Sequence, residues 1–163
     1  MFVINLLINN LIFKEMFEKL NQLVKENSKK EVFLSAGITA SSFESATYEA
    51  AGVIIDILKS QLDNGKAKDL MSFFKGKKAE SDLLLKMMIN KYANRLNKYY
   101  SISSSAAKEI AEVLIPTVVK KFVVQTGNGK KEDQGIFALF NCLSGNTVNF
   151  EEFFLKIDKI QMA

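Results

Sequence analysis

The chain has 163 residues, a net charge of +4 and 48% hydrophobic residues, enough for one domain with a substantial core. It has no histidine, no tryptophan and one cysteine. Histidine is the usual general base near neutral pH and the commonest metal ligand, so its absence excludes most familiar hydrolase and metalloenzyme designs. The lone Cys142 likewise excludes disulfide frameworks and cysteine-rich zinc sites.

Residues 1–13 are strongly apolar, followed by Lys14 and Glu15. No positive residue precedes the run, no small-residue cleavage site follows it, and Asn5, Asn9 and Asn10 interrupt it, which argues against a secretory signal. It is also shorter than the roughly 20 apolar residues that span a bilayer. Two readings stay open: residues 1–15 are an extension ahead of a conventional opening at Met16, or they form an N-terminal helix that packs on the core or touches a membrane.

From Met16 the periodicity is helical. Met16, Phe17, Leu20, Leu23 and Val24 predict a helix to about Asn27, and residues 28–41 read as a loop. Ser41 with Glu44 three positions on is a capping box. It opens a strongly amphipathic helix, with Phe43, Ala46, Ala50, Val53, Ile54, Ile57 and Leu58 on one face, that Asn64 and Gly65 stop. Lys66–Lys75 predicts a short helix burying Leu70, Met71, Phe73 and Phe74, followed by a hinge at 75–80. Ser81–Tyr100 is helical with Leu84, Met88, Tyr92 and Leu96 inward, and Lys91 and Arg95 outward.

The serines at 103–105 cap the next helix. Pro116 inside its pattern means either a kink or an end near Leu114 and a restart. Residues 127–132 are a polar loop. Asp133 caps a helix carrying Ile136, Phe137, Leu139, Phe140 and Leu143, which Gly145 ends. Asn149 caps a last helix over 149–160. The reading is an all-α, compact multi-helix domain of six to eight amphipathic helices, spanning residues 16–163.

No motif has the context its chemistry needs. Ser105 and Lys108 form a Ser-x-x-Lys pair at a helix start, where a lysine could activate a serine. The Ser-Asp-Asn and Lys-Thr-Gly partners of penicillin-recognising enzymes are missing, and helix capping accounts for the serine. Gly127–Lys131 lacks the Walker spacing, and no strand precedes it. Val148, Phe150, Glu152 and Phe153 fit the end of a calcium EF-hand loop. Leu143, Gly145 and Asn146 occupy positions where it needs oxygen ligands and its glycine. No cofactor or metal site and no small-molecule substrate is expected, and the chain reads as non-enzymatic.

Two binding surfaces remain. Phe150, Phe153, Phe154 and Ile157 line one face of the last helix, which either meets a partner or closes the core. Lys77, Lys78, Lys120, Lys121, Lys130 and Lys131 are the candidates for contacts to nucleic acid or an anionic membrane surface. Against the lysines, Arg95 is the only arginine, and the aromatic residues fall on inward faces instead of interleaving with them. The leading expectation is protein–protein contact or self-association. A small buried thiol at Cys142 fits a reducing compartment, with the cytoplasm as the expected location.

Residues 16–24 (MFEKLNQLV) resemble the opening of the YidB-like group of helical bacterial proteins. Ile54–Leu58 with Leu70-Met71 is similar too, as is Ser103–Ala107 leading to Leu114–Pro116 and then Gly135-Ile136. The resemblance covers about residues 16–145. It implies an all-α fold and no known activity, so it carries over no site residue. The chain departs from the group in residues 1–15, in its final helix where a Gly-rich tail is expected, and in its richness in lysine and phenylalanine.

Overall fold

The computed structural model describes residues 2–127, 132–145 and 147–162. Among these the protein is all-α, with eight helices: α1 (Phe2–Asn27), α2 (Lys30–Ser35), α3 (Phe43–Asp63), α4 (Ala67–Phe74), α5 (Lys78–Tyr100), α6 (Ser104–Gly127), α7 (Glu132–Leu143) and α8 (Phe150–Met162).

α3 is the centre. Ala46, Ala50, Val53, Ile54 and Leu58 are fully buried, and α1, α2, α4, α5 and α7 all pack against this helix. Alanines on its core side let neighbouring backbones approach, while Ile54 and Leu58 fill the space between them. α5 and α6 form a hairpin through the three-residue link 101–103, whose Ile102 is buried and whose carbonyl accepts a 2.7 Å hydrogen bond from Asn97. Phe74 of α4 meets Phe122 of α6 and Phe140 of α7 edge-on, with ring centroids 6.3 and 5.8 Å apart, tying the short helix to the far side of the core.

Where local signals are strong, the helix ends follow them. Past α3, Gly65 takes φ +74, a conformation open to glycine. Its N–H bonds to Leu62 O and that of Lys66 to Gln61 O, the paired bonds of a Schellman cap. The stretch expected as a hinge, 75–80, holds the same kind of turn, closed by Lys77 N–H on Ser72 O, and α5 starts at Lys78. Asn149 caps α8 as expected: its Oδ1 accepts the Glu152 N–H at 3.2 Å.

Three local expectations need correction, and one open alternative is decided. Residues 28–41 contain the six-residue α2, whose Phe33 is buried edge-on against Phe43. Fewer than two turns leave no periodicity to read. The Ser41 capping box does not form: Ser42 is the N-cap residue of α3 and has no side-chain cap, while the Thr39 hydroxyl engages those of Ser41 and Ser42. Ser103, not Ser105, caps α6, accepting the Ala106 N–H at 3.1 Å. Finally, α6 runs unbroken through Pro116, so the reading in which it ends near Leu114 falls. Ala111, Leu114 and Ile115 before the proline and Val118, Val119 and Phe122 after it are all buried, so packing holds both halves. The Glu112 carbonyl that loses its partner belongs to an exposed residue, where water can satisfy it. The cap assigned to Asp133 rests on a side chain outside those described.

Candidate functional site

α1 carries two kinds of surface on one rod. Its second half anchors it: Leu20, Leu23 and Val24 are buried against α3 and α6, flanked by half-buried Met16 and Phe17. At about 100° of rotation per residue, Val3, Ile4, Leu7, Ile8 and Leu11 fall within the opposite half of the helix circumference, and Ile12 lies at its edge beside Leu23. All six are exposed, from 47% at Ile8 and Ile12 to 66% at Val3 and Leu11. Single exposed apolar residues are ordinary, whereas these six together form an exposed apolar patch. Beyond Ile12 the same exposed face becomes charged or polar, with Glu15, Glu18, Gln22 and Lys25. Sequence reasoning saw the apolar run but not which way it faces, and that follows from the register of Leu20, Leu23 and Val24.

The edge of the stripe runs into a groove of about 600 Å³ between α1, α6 and α7. Ile12, Met16 and Leu23 line one wall, Phe122 and Leu139 the other, and Glu15, Lys19 and Gln125 are among its polar lining. Cys142 also lines it, half-buried, and burial pushes its thiol pKa up. Such a thiol is a poor nucleophile near neutral pH.

The face proposed on the last helix divides. Phe150 is 5% exposed and meets Phe140 edge-on at 5.6 Å, and the Asn141 side chain accepts its N–H at 2.9 Å. Phe154 stacks on Phe137 at 5.6 Å, and Ile157 is half-buried. Phe153 is the one exposed residue of the four, at 39%. Phe150 and Phe154 therefore serve to dock α8 on α7.

The lysines are scattered over several elements. Lys77 and Lys78 are exposed where α5 begins, and Lys120 is exposed on α6, while the Lys121 ammonium donates to Asn27 Oδ1 at the end of α1, 2.7 Å away. Lys130 and Lys131 lie outside the described residues. Ser105 and Lys108 are both exposed, and Lys108 turns to Glu112 at 3.7 Å.

One polar cluster was missed. Arg95 lies half-buried across α3, with Nη1 2.9 Å from Glu49 and Nη2 2.9 Å from Asp56, and Lys91 adds a 3.5 Å contact to Asp56. Burial disfavours the guanidinium charge, but hydrogen bonds and attraction from Glu49 and Asp56 outweigh that and raise its pKa. The signal was present in the i, i+3, i+7 spacing of Glu49, Gly52 and Asp56, where Gly52 leaves room beneath the guanidinium. The cluster clamps α3 to α5 and points into no cavity described above.

Among the described residues, no group of three or more Cys, Asp or Glu side chains converges as a metal site, and no helix is long and apolar enough to cross a membrane. Compared with known proteins, the chain matches no family model, no curated protein and no solved structure.

Proposed function

We propose that this protein is a non-enzymatic helical interaction protein that works by protein–protein contact through the exposed apolar face of α1. The observation that carries the reading is the exposed run Val3, Ile4, Leu7, Ile8, Leu11 and Ile12, of which all but Ile12 lie on the side of α1 opposite Leu20, Leu23 and Val24. At about 25 cal/mol per Å² of apolar surface, covering such a stripe is strongly favourable. The reading places the protein in the cytoplasm. The YidB-like kinship is proposed alongside it and adds no activity.

The test is light scattering coupled to size exclusion, at low and high salt, on the full chain and on Leu7→Glu/Leu11→Glu. Apolar contact is expected to resist salt and to be lost in the double variant, with helical content and melting temperature unchanged. Assembly that dissolves in salt and survives the substitutions would transfer the role to the lysines. A double variant that loses stability would mean that the stripe is core surface.

A further inference from the structure

We propose that Asn64-Gly65 is a self-modifying site that the fold holds closed, so that deamidation there marks molecules in which α4 has come off the core. Asn-Gly is the dipeptide in which backbone attack on the side-chain amide meets least hindrance, because glycine has no Cβ. The Gly65 nitrogen gives up its proton to hydroxide and bonds to Asn64 Cγ. Nδ2 leaves as ammonia, and water then opens the cyclic imide at either carbonyl, giving aspartate or isoaspartate at position 64. Water is the co-reactant, and residues 63–66 are all exposed, so access does not limit the reaction.

Conformation does. Attack needs the Gly65 nitrogen beside Cβ of Asn64. A ψ of 12° at Asn64 puts it beside that residue's own amide nitrogen, turned away from the side chain. The Gly65 N–H that must be lost is donated to Leu62 O at 3.1 Å, and the Lys66 N–H closes the turn on Gln61 O at 2.9 Å. Asn64 Nδ2 donates to Ser60 Oγ at 3.3 Å, which draws the amide back along α3. Both ends of the turn are pinned. Ile57, Leu58 and Gln61 are buried before it, and Ala67, Leu70, Phe73 and Phe74 after it. Rotating ψ of Asn64 swings the chain that follows, so the reactive geometry requires α4 to leave its place.

The product opposes return. The new acid puts a negative charge at the C-terminal end of α3, next to Asp63, where the helix dipole disfavours it. Isoaspartate also adds a methylene to the main chain, which moves the Gly65 and Lys66 N–H groups out of register with their two carbonyls. A molecule that has opened and reacted is thereby both labelled and destabilised.

Peptide mapping by mass spectrometry tests this on the full chain, incubated at mildly alkaline pH in native buffer and in urea. Asn128-Gly129 lies outside the described residues, but like Asn64-Gly65 it precedes a lysine, so in urea the two sites are expected to react alike. In native buffer Asn64 is expected to react at least about tenfold more slowly than in urea, because only the open fraction reacts. Lys66→Pro removes the closing N–H, and Phe74→Leu loosens the anchor of α4. Each is expected to speed the native reaction several-fold while circular dichroism shows the helices retained. Urea below the unfolding transition tests the wild-type chain without substitution, and the rate is expected to climb before the fold is lost. Equal rates for Asn64 in native buffer and in urea would overturn the closed site. A rate that rises only with global unfolding, or that neither folded variant raises, would overturn α4 as the gate.

Discussion

The Tyr92 hydroxyl of α5 donates a 2.7 Å hydrogen bond to the Ala46 carbonyl of α3, with the whole tyrosine buried at the helix crossing. Burial, reinforced by Tyr100 and Glu49, holds its phenol pKa far above the ordinary 10.0. The unfolded chain releases this proton near pH 10 while the folded chain keeps it. Above pH 10 the unfolded state thus binds fewer protons, and stability falls as pH rises. Tyr92→Phe is expected to cost about 1 kcal/mol at neutral pH, where the hydrogen bond is lost. It should also flatten the alkaline decline, because the group that titrates is gone. Urea unfolding of both proteins across pH 7 to 11 checks this; parallel curves would remove Tyr92 as the cause.

Gly135 of α7 faces the backbone of α6 so closely that a Cβ there would overlap the Thr126 carbonyl oxygen. Gly135→Ala is expected to destabilise by about 1–3 kcal/mol, because the backbone of α6 cannot yield as a flexible side chain would. Gly52→Ala is the control. A Cβ at Gly52 meets only Arg95 Nη1, at 4.0 Å, so helix propensity should dominate and stabilise by up to about 1 kcal/mol. Thermal melts of the two variants should therefore shift in opposite directions.

The rings of α8 should separate by more than 2 kcal/mol. Phe150 fills a core site against Phe140, so Phe150→Ala should cost about 3–5 kcal/mol. Phe153 is partly exposed, and Phe153→Ala should cost under about 1 kcal/mol, as surface changes usually do. Equal losses in chemical denaturation would mean that both rings are core.

Cys142 should alkylate more slowly at pH 8 than a free thiol of an unfolded chain, and the rate should climb at higher pH than for that reference. Burial shifts its pKa upward and hinders access. Following iodoacetamide modification by mass spectrometry across pH, in native buffer and in urea, provides both curves. Coincident profiles would place the thiol in open solvent.

What the sequence made legible was the long amphipathic pattern. The inward faces of α3, α5 and α6 follow from 3.6-residue spacing, and Asn64-Gly65 and Asn149 mark helix ends by local chemistry. The rest depended on relations that no short window contains. Arg95 is 46 residues from Glu49 and 39 from Asp56, so the clamp appears only once α5 crosses α3. Pro116 reads as a kink or a break until the buried residues on both sides of it are seen to share one core. Phe150 and Phe153 are chemically identical, and only the position of Phe140 makes one an anchor and leaves the other partly exposed. The stripe on α1 was legible as apolar and illegible as exposed.

The division of α1 at Lys14 has an evolutionary consequence. The residues that fold the helix into the domain and those that form its exposed apolar run occupy different turns of the same rod. Substitutions among Val3 to Ile12 can change the exposed face while Leu20, Leu23 and Val24 keep the fold intact. Lineages of such a chain are free to alter that face without passing through unstable intermediates.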